Sequence, residues 1–198
     1  MSKMAQTEEQ ISQFESAGIT TFITYAQSID ETYIAIELIG KLMGKEAGAE
    51  GLISGMKNEF IGLQEKAASS GGEKKSIYFE VSPLEYGLWT AGTETFMNEV
   101  AELLNLRNIF EDVSGWAEVS EEQVLERNPD YILTVGMYFG DGPTPIDSIL
   151  ERPGWESITA IKNKAILNLT EDELSRPGPR LADGARMLYE FVYGEGAK

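Results

Sequence analysis

Apolar positions along this chain fall into two rhythms that take turns, a helical period of 3.6 and short unbroken runs, and their succession predicts alternating helices and strands. Residues 8–17 predict an amphipathic helix with Ile11 and Phe14 turned inward, stopped by Gly18. The β-branched run 19–25 follows as a strand. Ser28 and Glu31 form a capping box, the Ser hydroxyl and Glu carboxylate satisfying amides that a helix start leaves unpaired. That helix carries Ile34, Leu38 and Leu42 one turn apart and ends at Gly44. A longer helix over residues 46–68 sets Leu52, Met56, Phe60, Leu63 and Ala67 on one stripe. Its several glycines weaken its intrinsic propensity, so it needs a surface to lie against.

Residues 69–75, rich in Ser, Gly and Lys, are the clearest linker and mark a domain boundary near residue 71. Beyond them the pattern restarts. Strands are predicted over 76–81, 108–110, 131–135 and 165–169, and helices over 95–106 and 180–193. A further helix opens on a second capping box, Ser120 with Gln123, and must stop near Asn128 because Pro129 follows. Strands alternating with helices imply an α/β fold, a Rossmann-like and mostly parallel sheet covered by helices on both faces.

Composition narrows the chemistry. The 198 residues hold no Cys and no His, which removes zinc sites, iron–sulfur clusters, thiol nucleophiles and the Ser-His-Asp triad. The absence of Cys fits a reducing compartment or an exported protein without disulfides. Sixteen Lys and Arg against 33 Asp and Glu give a formal charge of -17, which repels phosphate backbones and anionic lipid surfaces, so no nucleic-acid partner is expected. The chain opens on a polar stretch, without an export signal or a membrane-spanning apolar run.

Ligands of open parallel sheets bind beyond the carboxyl ends of the strands, so the loops there are the first place to look. Residues 82–92 hold Tyr86 and Trp89; residues 136–145 hold Met137, Tyr138 and Phe139; residues 170–179 hold Glu171, Asp172, Glu173 and Arg176. Trp116 sits in the turn before the second capping box. Aromatic faces with one Arg suit a flat or macrocyclic ligand carrying acidic groups, through stacking and charge-assisted hydrogen bonds. Aromatic residues in loops also serve as lids over a core. The acidic trio 171–173 could supply a carboxylate pair or hold a hard cation, though no matching spacing occurs elsewhere.

Several segments together resemble one known family: Trp89-Thr90-Ala91-Gly92, Thr95-Phe96-Met97-Asn98-Glu99-Val100, the run Leu103 to Phe110, Trp116 through Leu125, and Asn128-Pro129-Asp130. Arg152-Pro153-Gly154-Trp155 and Arg176-Pro177-Gly178-Pro179-Arg180 continue it. Their order and spacing are similar to the C-terminal lobe of ABC-importer substrate-binding proteins of the iron-siderophore, haem and cobalamin class, the class III or helical-backbone periplasmic binding proteins.

The resemblance implies two lobes that hold one ligand between them, no cofactor and no catalysis. Residues 1–45 then look like the remnant of an N-terminal lobe, residues 46–70 like the connector helix between lobes, and residues 71–198 like the C-terminal α/β lobe of a truncated chain. It implies capture of an iron complex (siderophore or haem) or a corrinoid, and delivery to ABC permease subunits. The full-length protein would be periplasmic, or extracellular and membrane-anchored, its export signal absent from this chain. By the same resemblance Trp116 and Arg176 match cleft positions and Glu122 matches the glutamate that docks onto the permease, while Tyr86, Trp89 and Tyr138 are ligand-binding candidates by their place in the strand-end loops. Arg180 reads as structural. Two other classes stay open. An α/β enzyme would have to work with carboxylates, since no phosphate-binding or nucleophile-elbow motif is present; an interaction module would use the long helix as its face. The uncovered apolar faces near the start of the chain lead to an expectation of self-association.

Overall fold

The computed structural model describes residues 8–138, 140, 142–169 and 172–194. Three helices come first: α1 Glu8–Ser16, α2 Ile29–Leu42 and α3 Glu46–Ser69. Then follow β1 Ser76–Glu80, β2 Leu88–Ala91, α4 Phe96–Leu103, β3 Arg107–Asn108, β4 Trp116–Val119 and α5 Glu121–Arg127. The last part holds β5 Tyr131–Thr134, α6 Pro145–Leu150, α7 Thr159–Lys162, β6 Ile166–Asn168 and α8 Leu181–Tyr193. Four strands form a wholly parallel sheet in the order β3-β1-β5-β6, and β2 pairs β4 antiparallel beside it. The fold is the expected α/β arrangement.

Successive side chains of a strand point to opposite faces. Ile77 and Phe79 of β1 therefore join one core with Met56, Phe60 and Leu63 of α3, Val100 of α4 and Leu188 of α8. Tyr78 of the same strand joins the other, with Val124 of α5, Ile149 of α6, Trp155 and Ile161 of α7. Burial on both faces explains why β1 reads as an unbroken apolar run. The stripe of α3 is buried from Met56 to Ala67, whereas Leu52, expected on it, is 51% exposed. The glycine-diluted helix finds its surface on α8 and α2.

The Thr95 hydroxyl accepts from the Asn98 N–H and donates to the Gly92 carbonyl, capping α4 and fixing the preceding turn. Asn108 reaches from β3 to the Ala91 carbonyl at 2.6 Å and to Asn98 Oδ1 at 3.0 Å. Buried amides so paired tie β2, α4 and β3 together. At Gly92 a Cβ would fall 2.0 Å from the Val113 carbonyl oxygen, so only glycine lets these two chain segments approach.

Four expectations need correction. Residues 19–25 form no strand; only Thr24 bridges, and the parallel sheet lies wholly within residues 76–168, so among the described residues the run joins no ladder. Helix α1 buries none of its residues, and Phe14 is exposed. Trp89 and Trp116 stand in β2 and β4, not in a loop and a turn; both strands are four residues long, too short for alternation to show against the aromatic content. In α2 the buried residues are Thr32 and Gly40, with Ile29, Tyr33 and Ile36 on the core, while Ile34, Leu38 and Leu42 face outward. Gly40 permits this contact, since a Cβ there would meet that of Ala49 at 2.5 Å. Among the described residues no helix is long and apolar enough to cross a membrane.

Candidate functional site

In the order β3-β1-β5-β6 the chain leaves β1 for a neighbour on one side and returns to a neighbour on the other. The reversal falls between β1 and β5, and a crevice must open beyond their carboxyl ends, because the connections diverge there. A cavity of about 860 Å³ occupies that place. Glu80 and Val81 line it from the end of β1, and residues 134–138 from the end of β5. The 3-10 turn Leu84–Tyr86 and the end of α6 with Ser148, Glu151 and Arg152 complete the wall.

The floor of the crevice is charged and buried. Arg152 donates to both carboxylate oxygens of Glu80, at 2.8 and 2.9 Å, with the two side chains 5% and 2% exposed. Burial pushes the Glu80 carboxyl above the ordinary range, and the Arg152 guanidinium pulls it part of the way back. The guanidinium stacks on Trp155 at 4.1 Å, and the Trp155 indole N–H donates to Glu121 at 2.9 Å in the first turn of α5. Tyr78 packs edge-on against Trp155 and Phe110. Its buried hydroxyl finds no hydrogen-bond partner among the described residues, and desolvation raises its pKa well above 10.

The crevice brings together Tyr86 and Tyr138, two of the five expected ligand contacts. Tyr86 is largely exposed and Tyr138 half-exposed. Trp89, Trp116 and Arg176 are not among its lining residues. Trp89 lies opposite Glu118 in the β2–β4 ladder. Trp116 donates its indole N–H to Gln27 at 2.7 Å and tilts against Phe96. Arg176 pairs with Asp172 at 3.1 Å on the surface, and Arg180 pairs with the same carboxylate at 3.1 Å. Of the loop residues singled out in the sequence, Phe139 and Glu171 lie outside the described residues; among those described, no group of three or more acidic side chains could hold a metal ion.

Glu122 stands exposed in the first turn of α5, where the Ser120 hydroxyl holds its carboxyl below the ordinary range. Its neighbour Glu121 turns inward to Trp155, so the two adjacent glutamates are split between surface and core. The pair that sequence reasoning passed over is Glu80 with Arg152. A charge closing the apolar run Ile77-Tyr78-Phe79 was the available signal, and Arg152 heads a motif already singled out.

Residues 1–173 match a family model described as periplasmic binding protein. The chain is 36% identical over 194 residues to the uncharacterised ABC transporter substrate-binding lipoprotein YvrC of Bacillus subtilis, covering 97% of this chain and 60% of that protein. It is 26% identical over 183 residues to the vitamin B12-binding protein of Salmonella paratyphi A, covering 91% of this chain and 63% of that one. It thus spans less than two thirds of the length of either curated relative. A crystal structure of a possible iron-binding (periplasmic solute-binding) protein from Staphylococcus epidermidis superposes with a TM-score of 0.78 at 33% identity, over 93% of this chain and 70% of that one. The family match covers most of the chain, and the chain belongs to the periplasmic binding protein family.

Proposed function

We propose that this chain is the ligand-binding part of an ABC-importer substrate-binding protein, and that it takes an iron complex or a corrinoid against the crevice between β1 and β5. The observation that carries the reading is the crevice itself, at the one place where the strand order reverses, walled by Tyr86 and Tyr138 in a chain of the periplasmic binding protein family. Relatives named for vitamin B12 and for iron support the ligand class. Trp89, Trp116 and Arg176 enter as further contacts to a ligand that extends beyond the crevice, a size that a corrinoid has. Residues 1–45, 46–70 and 71–198 serve as the remnant of a first lobe, the connector and the second lobe. Binding proceeds without chemistry and without a resident cofactor. Glu122 docks onto the permease, on the outer side of the cytoplasmic membrane.

A thermal-shift series with cyanocobalamin, haem and ferric siderophores tests this. A ligand that binds only the folded state raises the melting temperature by mass action, by an amount that grows with its concentration. No shift with any of them, at concentrations up to solubility, counts against the reading.

A further inference from the structure

Among the described residues the lining of the crevice holds Glu80, Glu85 and Glu151 against a single cation, Arg152, and that cation is fully engaged. Its guanidinium is bidentate to Glu80 and stacked on Trp155, so it cannot turn to a ligand carboxylate without stranding a buried charge. Glu85 and Glu151 are exposed at the wall, without a cationic partner in that wall. The two arginines that follow β6, Arg176 and Arg180, are both turned to Asp172. The whole chain carries -17, so its long-range field has the same sign as the crevice. The polar groups left over are acceptors, two carboxylates, with the hydroxyls of Tyr86, Tyr138 and Ser148 able to serve either way.

We infer that the crevice selects a ligand with no net negative charge that presents amide or ammonium N–H groups, and rejects anionic complexes; this rests on the binding-protein reading above. An anion entering here meets two carboxylates that have no cationic partner in the wall, and among the described lining residues it finds no free cation. An amide-rich macrocycle or a positively charged hydroxamate chelate meets acceptors for its N–H groups and a favourable potential. Selection by charge is a difference of affinities, and the wall supplies its repulsive half.

The test is calorimetric titration of the full chain with four probes: cyanocobalamin and ferrioxamine B as the neutral and cationic arms, haem and ferric enterobactin as the anionic ones. The same series is run on Glu85→Lys and Glu151→Lys, both at exposed positions, with circular dichroism as the check on folding. We expect the first two probes to bind at least about tenfold more tightly than the anions, equivalent to about 1.4 kcal/mol. Each reversal narrows that gap by about tenfold. Anions bound as tightly as the neutral and cationic probes overturn the inference while leaving the importer reading intact. Selectivity that both charge reversals leave untouched also overturns it. Failure of all four probes to bind removes the importer reading, and this inference with it.

Discussion

Arg152 holds both carboxylate oxygens of Glu80 at 2.8 and 2.9 Å, joining the end of α6 to the end of β1 beneath the crevice. A buried pair of this kind contributes little net stability, because two desolvation costs offset the attraction, but breaking it leaves a lone charge. Arg152→Met is therefore expected to cost about 3–5 kcal/mol in urea unfolding. The double variant Glu80→Gln/Arg152→Met should recover part of that loss, since no charge is then left uncompensated. A double variant no better than the single one would mean that packing of the guanidinium on Trp155, and not charge, dominates.

The apolar runs of β1, β5 and β6 and the caps at Ser28 and Ser120 were legible because each is a local signal, a run of buried side chains or a hydroxyl placed before a helix. The reciprocal arm of the first box lands one residue early, Glu31 accepting from Gln27 instead of Ser28. What was not legible depends on distant partners. Glu80 and Arg152 lie far apart in the chain and meet only once β1 and α6 converge on the switch point. Arg176 reads as a free cation in sequence, but the left-handed turn at Asp172 brings a carboxylate to it. The two strands that carry Trp89 and Trp116 form their ladder with each other, across a stretch of chain that no local signal bridges.

Tyr86 and Tyr138 offer exposed rings to the crevice and support little of the core. Truncation of either to Ala should leave unfolding free energy within about 0.5 kcal/mol. Affinity for whichever iron complex or corrinoid binds should drop by about 0.5–1.5 kcal/mol per ring, the range for aromatic contacts. Titration calorimetry beside thermal melts separates the two effects. Loss of melting temperature without loss of affinity would make the rings lids, not contacts.

The split between Glu121 and Glu122 gives the docking proposal its control. Glu122 is fully exposed, so Glu122→Arg should leave the melting temperature and ligand affinity unchanged while weakening association with permease by about 2–5 kcal/mol if the contact is desolvated. Glu121→Ala should act the other way, removing the acceptor of the Trp155 indole N–H and lowering stability with little effect on docking. Pull-down with permease in nanodiscs, run beside melts of both variants, decides. Equal docking by wild type and Glu122→Arg would remove the role.

Glu99 of α4 accepts the Ile29 N–H at 2.6 Å, capping α2 from a different helix. Burial raises its pKa above 4.5, the Ile29 hydrogen bond partly opposing, and the nearby carboxylates of Asp30, Glu102 and Glu31 add to the rise. Tyr33, pushed up to about 12, does not titrate in the same range. A raised folded pKa means that the folded chain holds the proton at pH values where the unfolded chain has released it. Stability from this group therefore falls as pH rises from 4.5 through the folded value, and is regained on acidification. Glu99→Gln keeps an acceptor for Ile29 and removes the charge. Its melting temperature relative to wild type should be most favourable at neutral pH, with the advantage shrinking on acidification toward pH 4.5. An advantage that stays constant across that range would show that the carboxyl titrates normally.

The outward face of α2 sets Ile34, Leu38 and Leu42 in a row at 55%, 38% and 64% exposure, continued by Ile39 and Met43. Soluble monomers rarely leave contiguous apolar patches of more than a few hundred Å² in water. A second copy offers the same face, and two such stripes can pack against each other as an isologous contact. The chain is therefore expected to self-associate with increasing concentration, as read by light scattering on a size-exclusion column. Leu38→Lys together with Leu42→Glu should return it to a monomer without loss of stability, since neither side chain is buried and surface changes stay within about 0.5 kcal/mol. The parallel sheet and the crevice lie on other elements, so ligand affinity should survive in that monomer. A wild-type chain that stays monomeric at high concentration would mean that the stripe tolerates water, and a double variant that unfolds would mean that the face packs against something within its own chain.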